Sequence, residues 1–339
     1  MQATIETIIN GQDLSYDQAY HAVEEMMTGQ VNPAQMAAYL TALAMKGETD
    51  LEIAGSAAAI RDQAVKITTP NPSLEIVGTG GDQSYSFNVS STAALVIAAS
   101  GVPVAKHGNR SASSKSGAAD CMEALGINLD QDPELAQALL EELGICFLFA
   151  QNYHQSMKYV APIRKDLAFK TVFNILGPIT NPACPTYQLL GVYKEELVQP
   201  MAKVIQSLGV KRGMVVYGQD GMDEVSISAP TSALFFDGDQ ETTFTIEPES
   251  YGFPSYKKQE IVGGDPQENA AITRGILQGV IHGAKRDIVL LNAACGLYVA
   301  GRAVDIPQGI TLARRMIDSG QAYRLLQAYI RASQKGVKA

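Results

Sequence analysis

The chain has 339 residues, 46% of them hydrophobic and only 18% charged, which is enough to bury a sizeable core in one large domain or two unequal ones. Acidic residues outnumber basic ones by 35 to 26, the net charge is −9, and no basic block offers a sequence-independent grip on nucleic acid. We therefore expect no nucleic-acid partner.

The cysteines and the N-terminal residues indicate the cellular compartment in which the protein is expected. The four cysteines are far apart and form no CxxC pair, which disfavours a zinc site or a disulfide framework. The first residues lack a basic start followed by an apolar run, and no uncharged apolar stretch is long enough to cross a bilayer. These features predict a cytoplasmic protein that has no membrane partner.

Capping signals divide the first quarter of the chain into helices. Each signal pairs a polar N-cap residue with a glutamine or glutamate three positions later: Ser15 with Gln18, Asn32 with Gln35, and Thr49 with Glu52. Gly29 and Gly47 follow the first two helices, where a left-handed residue often ends a helix. An apolar set at helical spacing is typical of core or a subunit contact: Met36, Tyr39, Leu40 and Leu43. The pattern predicts a small antiparallel helical unit.

After Pro70 and Pro72, short apolar strands alternate with helices. The candidate strands are Leu74–Val77, Val102–Ala105, Ile145–Phe149, Gln188–Tyr193 and Gly213–Tyr217. An alanine-rich helix from about Ser91 to Ser100 follows the first of them. Such alternation predicts an α/β domain around a central, largely parallel sheet, with ligands at the carboxyl ends of the strands.

A glycine turn follows the first predicted strand. The run Gly78-Thr-Gly-Gly-Asp82 is followed by Phe87–Thr92, which opens a helix. Glycines allow close approach of an anion, and a helix start adds unpaired N–H groups, so a phosphate cradle and a purely structural tight turn remain equally open. The run is neither a GxGxxG fingerprint nor a Walker loop.

A cationic segment follows the second predicted strand. Residues 105–117 contain Lys106, His107, Arg110 and Lys115 together with several serines. A solvated loop and an anion-binding loop are both possible; we favour the second, because lysine and arginine make charge-assisted contacts with phosphate. His107 alone is more often structural than a base, and neighbouring cations disfavour its protonated form.

An acidic segment, Asp220–Ser226, follows the last predicted strand. The adjacent acids Asp223 and Glu224 suit Mg²⁺, which takes oxygen ligands and is often completed by substrate phosphates. On spacing alone, a solvated acidic turn is the commoner explanation.

Five motifs occur together over nearly the whole chain: Gly78–Asp82, Phe87–Ser91, Lys106–Ser114, Ala161–Arg164 leading into Phe173–Pro178, and Gly221–Glu224. In order and interval they closely resemble the anthranilate phosphoribosyltransferase family. The resemblance implies transfer of phosphoribosyl from 5-phosphoribosyl 1-pyrophosphate (PRPP) to the amine of anthranilate, in tryptophan biosynthesis. It also makes the acidic pair a metal site, which reverses the expectation from spacing.

The resemblance implies roles for individual residues. Pyrophosphate and ribose contacts correspond to Gly78, Gly81, Asp82, Ser86, Asn88, Val89, Ser90 and Ser91. A mobile loop that closes on PRPP corresponds to Lys106, His107, Gly108, Asn109, Arg110, Ser111, Ala112, Ser113 and Ser114. Asn109 and Arg164 match anthranilate contacts, Ser90 a ligand of one Mg²⁺, and Asp223 and Glu224 ligands of a second. Lys106, Asp223 and Glu224 are the implied catalytic residues.

The resemblance also implies a domain plan and a homodimer. A helical domain, residues 1–70, is rejoined by about 165–190 and forms the dimer contact, whereas residues 73–164 and 191–339 form the α/β domain that binds PRPP. Three positions depart from the family pattern. Ala118 replaces a serine expected to contact phosphate, Ser91 a threonine, and Gln151 a proline near the expected anthranilate approach.

Two other functions compete with this interpretation. A pyrimidine nucleoside phosphorylase shares the general architecture but lacks the Lys106–Ser114 and Gly221–Glu224 motifs. A non-catalytic relative that binds nucleic acid should have a basic surface and lose the glycine turn, and the sequence has neither feature.

Overall fold

The computed structural model describes residues 1–69, 71–111 and 115–336. In these ranges the α-helices are α1 Gln2–Ile9, α2 Tyr16–Met27, α3 Pro33–Lys46, α4 Asp50–Asp62, α5 Val89–Ala99, α6 Ala118–Ala124, α7 Pro133–Leu143, α8 Ala150–Tyr153, α9 Ala161–Leu167, α10 Phe173–Leu176, α11 Val198–Ser207, α12 Pro266–Leu277, α13 Ala284–Val299, α14 Ile306–Asp318 and α15 Gln321–Ser333. The strands are β1 Leu74–Gly78, β2 Val104–Gly108, β3 Ile145–Phe149, β4 Tyr187–Gly191, β5 Arg212–Gly218, β6 Thr231–Asp237 and β7 Gln240–Ile246. Short 3-10 helices occupy Gln155–Tyr159, Gly177–Ile179, Glu195–Leu197, Pro248–Tyr251, Lys258–Ile261 and Gln334–Gly336.

The capping signals at the start of the chain are confirmed. Ser15, Asn32 and Thr49 each accept a hydrogen bond from the backbone N–H three residues later, and so begin α2, α3 and α4. Gly29 and Gly47 follow α2 and α3 with φ of 74° and 87°. The structure adds α1, which the capping pattern did not predict.

The seven strands form one sheet in the order β3-β2-β1-β4-β5-β6-β7. The first five of these are parallel, whereas β6 and β7 add an antiparallel edge. The predicted α/β class with a central, largely parallel sheet is therefore confirmed. The carboxyl ends of β2, β1, β4 and β5 lie side by side, so the turns that follow them share one edge of the sheet.

The second predicted strand was placed wrongly. We expected it at Val102–Ala105 and placed Lys106 and His107 in a loop, but β2 runs to Gly108 and pairs with β3 along its whole length. Burial explains the difference, because Lys106 and His107 are 1% and 5% exposed inside the sheet. A strand with polar residues at its end has no clear apolar alternation in the sequence.

Two hydrophobic clusters flank the sheet. One lies among β1–β3, α5, α13 and the C-terminal helices, and is filled largely by alanine, leucine and isoleucine. The other joins α1–α4 to side chains from the segment between Val160 and Ile179 and to α11. Met36, Tyr39, Leu40 and Leu43 are buried in this second cluster, as the helical spacing predicts. No helix in the described ranges has the length and apolar character needed to span a bilayer.

A buried carboxylate holds the N-terminal helices together. Glu52, fully buried at the start of α4, accepts hydrogen bonds from the backbone N–H groups of Leu14 and Thr49, each at 2.8 Å. Its other contact is Lys46 Nζ at 3.0 Å, which also binds the exposed carboxylate of Asp13 at 2.7 Å. Glu52 thus satisfies donors from three parts of the helical unit.

We expect Glu52→Ala to lower the free energy of unfolding by about 3–5 kcal/mol, because it leaves buried donors and the Lys46 ammonium without their acceptor. Asp13→Ala removes a carboxylate from the same lysine at an exposed position and should cost less than about 1 kcal/mol. Urea unfolding of the two variants measures the difference. Equal losses would contradict this role for Glu52.

Candidate active site

The acidic turn after β5 rests directly on the ends of β1 and β4. A β-carbon added at Gly191 would lie 1.7 Å from the carbonyl oxygen of Asp223, and one added at Gly78 would lie 2.5 Å from its carboxylate. Glycine is therefore required at both strand ends for the chain to approach this closely. The contact brings the turn after β5 to the glycine turn after β1.

Three carboxylates meet at this contact. Asp223 accepts a hydrogen bond from the backbone N–H of Gly80, and its own N–H lies 3.4 Å from the carboxylate of Asp82. Glu224 accepts one from the N–H of Ser90 at 3.2 Å, in the first turn of α5. Burial, and then the charges of Asp82 and Glu224, raise the pKa of Asp223 well above its usual range. Burial also raises the pKa of Glu224 to about 7, although the Lys106 ammonium opposes this shift.

Lys106 supplies the positive charge beside these acids. Its Nζ donates to the carbonyl oxygen of Ile76 at 2.6 Å and to the hydroxyl of Ser90 at 3.3 Å. Burial lowers the pKa of Lys106, and the carboxylates of Glu75 and Glu224 offset this shift only in part. Lys106 is thus a buried lysine within β2, held by two hydrogen bonds, and not the first residue of a closing loop.

The start of α5 is held by amide side chains. Asn88 donates to the carbonyl oxygen of Ser116 at 3.2 Å, and its own side-chain oxygen accepts from Asn269 at 3.0 Å. The Ser91 hydroxyl, just inside the helix, is buried without a hydrogen-bond partner among the described residues. Val89 is 1% exposed, so only its backbone is presented to the site. Ser86 lies nearby, in an isolated bridge to Val262.

The segment after β2 is partly engaged by protein groups. Arg110 Nη1 lies 2.9 Å from Asp120 and 2.8 Å from Glu123, so this cation already has protein partners and is not left to an anionic ligand alone. Ser111 and Gly117 both donate backbone N–H groups to Asp120, which closes the segment onto the start of α6. Asn109 is exposed and bonds through its side-chain oxygen to the N–H of Arg110. Ala112, Ser113 and Ser114 lie outside the described residues.

Two further positions concern the shape of the same segment. Gly108 ends β2 where a β-carbon would lie 2.9 Å from Phe147 and 3.0 Å from Ala118, the first residue of α6. Ala118 therefore packs against the strand end. A serine at this position would add a hydroxyl at the start of α6, which this chain lacks.

Arg164 lies on α9 with its guanidinium 5.4 Å from the centre of the Phe173 ring. Burial lowers its pKa. Across residues 1–69, 71–111 and 115–336, no carboxylate lies within 4.0 Å of it. Arg164 thus forms no ion pair with its neighbour Asp166, and the half-buried guanidinium is left for another anion.

Several residues outside the sequence motifs also shape the site. Asn181 donates to the buried carboxylate of Glu75 and to the carbonyl oxygen of Ala105 at 2.8 Å, and so joins β1 to β2. Burial raises the pKa of Glu75 to about 8. Lys170 reaches the carbonyl oxygen of Gly81 at 3.2 Å. In the sequence, Gly191 is marked only by its place at the end of an apolar run. Its close contact is with Asp223, which lies 32 positions later and so gives no local signal.

The acids suit a hard cation but do not enclose one. In the part of the chain that the structure describes, no cluster of three or more histidine, cysteine, aspartate or glutamate side chains is arranged to hold a metal ion. The donor set of two adjacent carboxylates and a hydroxyl matches the chemistry of Mg²⁺, which usually keeps several waters and takes further oxygens from phosphates. Burial, and then repulsion from Asp82 and Glu224, raise the pKa of Asp223, and a divalent cation would relieve that repulsion.

The fold and site place the chain in a known class of enzymes. Residues 71–323 match the glycosyl transferase family a/b domain, and residues 2–64 match the helical bundle domain of the same family. The chain is therefore a glycosyl transferase with a helical domain and a larger α/β domain.

Its relatives narrow the class. A protein of Methanobrevibacter smithii named anthranilate phosphoribosyltransferase is 52% identical over 97% of this chain and 98% of its own length. The crystal structure of the Thermus thermophilus enzyme of that name matches with a TM-score of 0.92 and 41% identity, over 98% of this chain and 99% of that one. The Saccharomyces cerevisiae enzyme in complex with PRPP and Mg matches with a TM-score of 0.90 and 29% identity, over the same shares. The chain belongs to the anthranilate phosphoribosyltransferase family.

The close contact between Asp223 and Gly191 predicts how a substitution at Gly191 changes stability and activity. We expect Gly191→Ala to lower the free energy of unfolding by about 1–3 kcal/mol, because the new methyl group meets a backbone atom that no rotamer change can move. The shift should also move the acidic turn and reduce turnover. Gly177→Ala is a matched control, since no atom lies within 4 Å of its added β-carbon. Thermal unfolding and steady-state kinetics of both variants test this, and indistinguishable variants would contradict it.

Proposed function

We propose that this chain transfers the phosphoribosyl group of PRPP to the amine of anthranilate, giving N-(5-phosphoribosyl)anthranilate and pyrophosphate. The observation that carries the proposal is the meeting of three groups at one edge of the sheet. These groups are the glycine turn after β1, the acidic turn after β5 and the Lys106 ammonium. A phosphorylase alternative does not account for the acidic turn, and the full-length relatives carry the name of the transferase.

The phosphate groups of PRPP would bind at the turns after β1 and β2. The backbone of Gly78, Gly81 and Asp82 borders this region, and Ser91 at the start of α5 offers a hydroxyl that has no hydrogen-bond partner among the described residues. The remaining proposed contacts are Ser86, Asn88, Val89, Ser90, His107, Gly108, Asn109, Arg110, Ser111 and Ala118, with Ala112, Ser113 and Ser114 beyond the described residues. Because Arg110 already binds two carboxylates, its contact with PRPP would require exchange of these partners.

Asp223 and Glu224 would hold one Mg²⁺, and Ser90 would be a ligand of a second. Support comes from the carboxylate cluster, and from the presence of Mg beside PRPP in the Saccharomyces cerevisiae structure. The metal, when bound, would neutralise charge on the pyrophosphate. Ser90 also accepts from Lys106 Nζ, so metal binding and the orientation of Lys106 are linked through one hydroxyl.

The reaction is displacement of pyrophosphate at the anomeric carbon through a transition state with oxocarbenium character. The neutral aromatic amine already carries its lone pair, so the protein needs no strong base to remove a proton first. Lys106 and the backbone N–H groups of the glycine turn stabilise the charge that develops on the departing pyrophosphate. The protein's contribution is thus positioning and electrostatic stabilisation, with Lys106, Asp223 and Glu224 as the catalytic residues.

Arg164 would bind the carboxylate of anthranilate, with Asn109 as a second contact. A guanidinium holds a planar carboxylate through two parallel hydrogen bonds, and Arg164 has no acidic partner within the described ranges. Phe173 supports the guanidinium from one side. A carboxylate suits this arrangement chemically.

We further propose that the chain works in the cytoplasm as a homodimer. Exposed apolar side chains on the N-terminal helices support a contact between two copies, with Ile9 70%, Met45 84% and Leu51 55% exposed. The proposed domain plan is a helical domain of residues 1–70 rejoined by about 165–190, with the α/β domain formed by 73–164 and 191–339. Sedimentation of the wild-type protein and Met45→Lys tests the contact, which the variant should weaken.

The direct test of the activity follows anthranilate fluorescence after mixing with PRPP and Mg²⁺. We expect the signal to fall only when all three are present, because transfer consumes anthranilate. A chelator added in excess should stop the reaction. Loss of signal with ribose 1-phosphate in place of PRPP, or no loss with PRPP, would contradict the proposal.

For Arg164→Ala we expect the apparent affinity for anthranilate to fall roughly ten- to hundred-fold, as for loss of a hydrogen-bonded charged group worth about 1.5–3 kcal/mol. The KM for PRPP should change much less. Arg164→Lys should recover only part of the loss, because an ammonium keeps the charge without the paired geometry. Steady-state kinetics in both substrates decide this; equal weakening for both would remove the assignment.

A further inference from the structure

Lys170 lies outside every motif used above, in the linker between α9 and α10, yet it reaches the glycine turn. Its Nζ donates to the carbonyl oxygen of Gly81 at 3.2 Å and lies 3.7 Å from the centre of the Tyr193 ring. In the described part of the chain no carboxylate is close enough to pair with it. The ammonium is thus held by a carbonyl oxygen and an aromatic face rather than by an acid.

The bond to Gly81 fixes a peptide plane. In a trans peptide the carbonyl and the following N–H point in opposite directions, so holding the Gly81 carbonyl toward Lys170 turns the Asp82 N–H away from it. That N–H has no hydrogen-bond partner among the described residues, whereas the Gly80 N–H is already bound to Asp223. The direction of the Asp82 N–H, which shares a peptide plane with the Gly81 carbonyl, is therefore set by Lys170.

The backbone of this turn needs such a restraint. Gly80 and Gly81 have φ of 74° and 72°, and Gln83 and Tyr85 have φ of 57° and 53°, in the left-handed region that residues other than glycine rarely adopt. Several alternative conformations are open to glycines, so an external contact is required to select one. Tyr193, which follows β4, keeps the ammonium in place from the neighbouring strand.

We propose that Lys170 is a positioning residue for the phosphoribosyl donor. It holds the Gly81 carbonyl so that the turn offers the Asp82 N–H to the pyrophosphate. The inference rests on the proposed function. Lys170 lies six residues after Arg164, the proposed anthranilate contact. Through Lys170, the linker after α9 therefore also contacts the glycine turn, where PRPP would bind.

The test compares Lys170→Met with Lys165→Met, which removes the same charge from the same segment; both lysines are exposed, but only Lys170 contacts Gly81 and Tyr193. Calorimetric titration with PRPP and Mg²⁺, without anthranilate, measures donor binding apart from transfer. We expect Lys170→Met to weaken donor binding about tenfold, as for loss of one charge-assisted hydrogen bond, and Lys165→Met to leave it unchanged. Lys170→Arg should retain most of the affinity, and the KM for anthranilate and the melting temperature should not change.

Tyr193 supplies a second pair of variants. Tyr193→Leu should weaken donor binding in the same direction, and Tyr193→Phe, which keeps the ring, should not. Stronger binding in Tyr193→Leu would mean that a released ammonium contacts the pyrophosphate itself, and it would overturn the positioning role. Equal affinities in Lys170→Met and Lys165→Met, or equal rises in both KM values, would overturn it as well. A wild-type protein that binds PRPP without consuming anthranilate would instead refute the proposed function and leave Lys170 unaffected.

Discussion

The contact of Asp223 with Gly78 and Gly191 is the constraint on which the rest of the site depends. Two strand ends without side chains let the turn after β5 lie directly on β1 and β4. That approach places the Asp223 carboxylate on the Gly80 N–H and brings Glu224 to the first turn of α5. These glycines are needed because they have no side chain, rather than because they are flexible. Their absence of a β-carbon lets the polar turns after β1 and β5 contact each other at the edge of the sheet.

The electrostatics of this surface follow from burial. Asp82, Asp223 and Glu224 lie close together, and the Lys106 ammonium beside them opposes the rise in the pKa of Glu224. Lys106 cannot reorganise easily, because it is 1% exposed and bound to the Ile76 carbonyl and to Ser90. Burial and crowding disfavour the charged forms of these carboxylates, and a cation with bound phosphates would favour them. The site is thus organised before the substrates arrive, which reduces the reorganisation needed in the transition state.

Local patterns predicted much of the fold, and long-range contacts explain what they missed. The caps at Ser15, Asn32 and Thr49 and the strand Ile145–Phe149 depend on neighbouring residues, and the structure has them where the sequence predicts. Lys106 was assigned to a loop because its partners, Ile76 and Ser90, are 30 and 16 residues away. The partners of Arg110 on α6 and the Lys170 contact with Gly81 were hidden for the same reason.

The most direct test of the account is a Mg²⁺ titration of activity in the double variant Asp223→Asn, Glu224→Gln. The amides keep the size and most hydrogen bonds of the acids but remove their charge. We expect the half-saturating Mg²⁺ concentration to rise at least about tenfold, the effect of losing about 1.4 kcal/mol of binding energy, while the melting temperature does not fall. An unchanged Mg²⁺ titration would show that the acidic turn is only a structural support, and it would contradict the metal–pyrophosphate site described above.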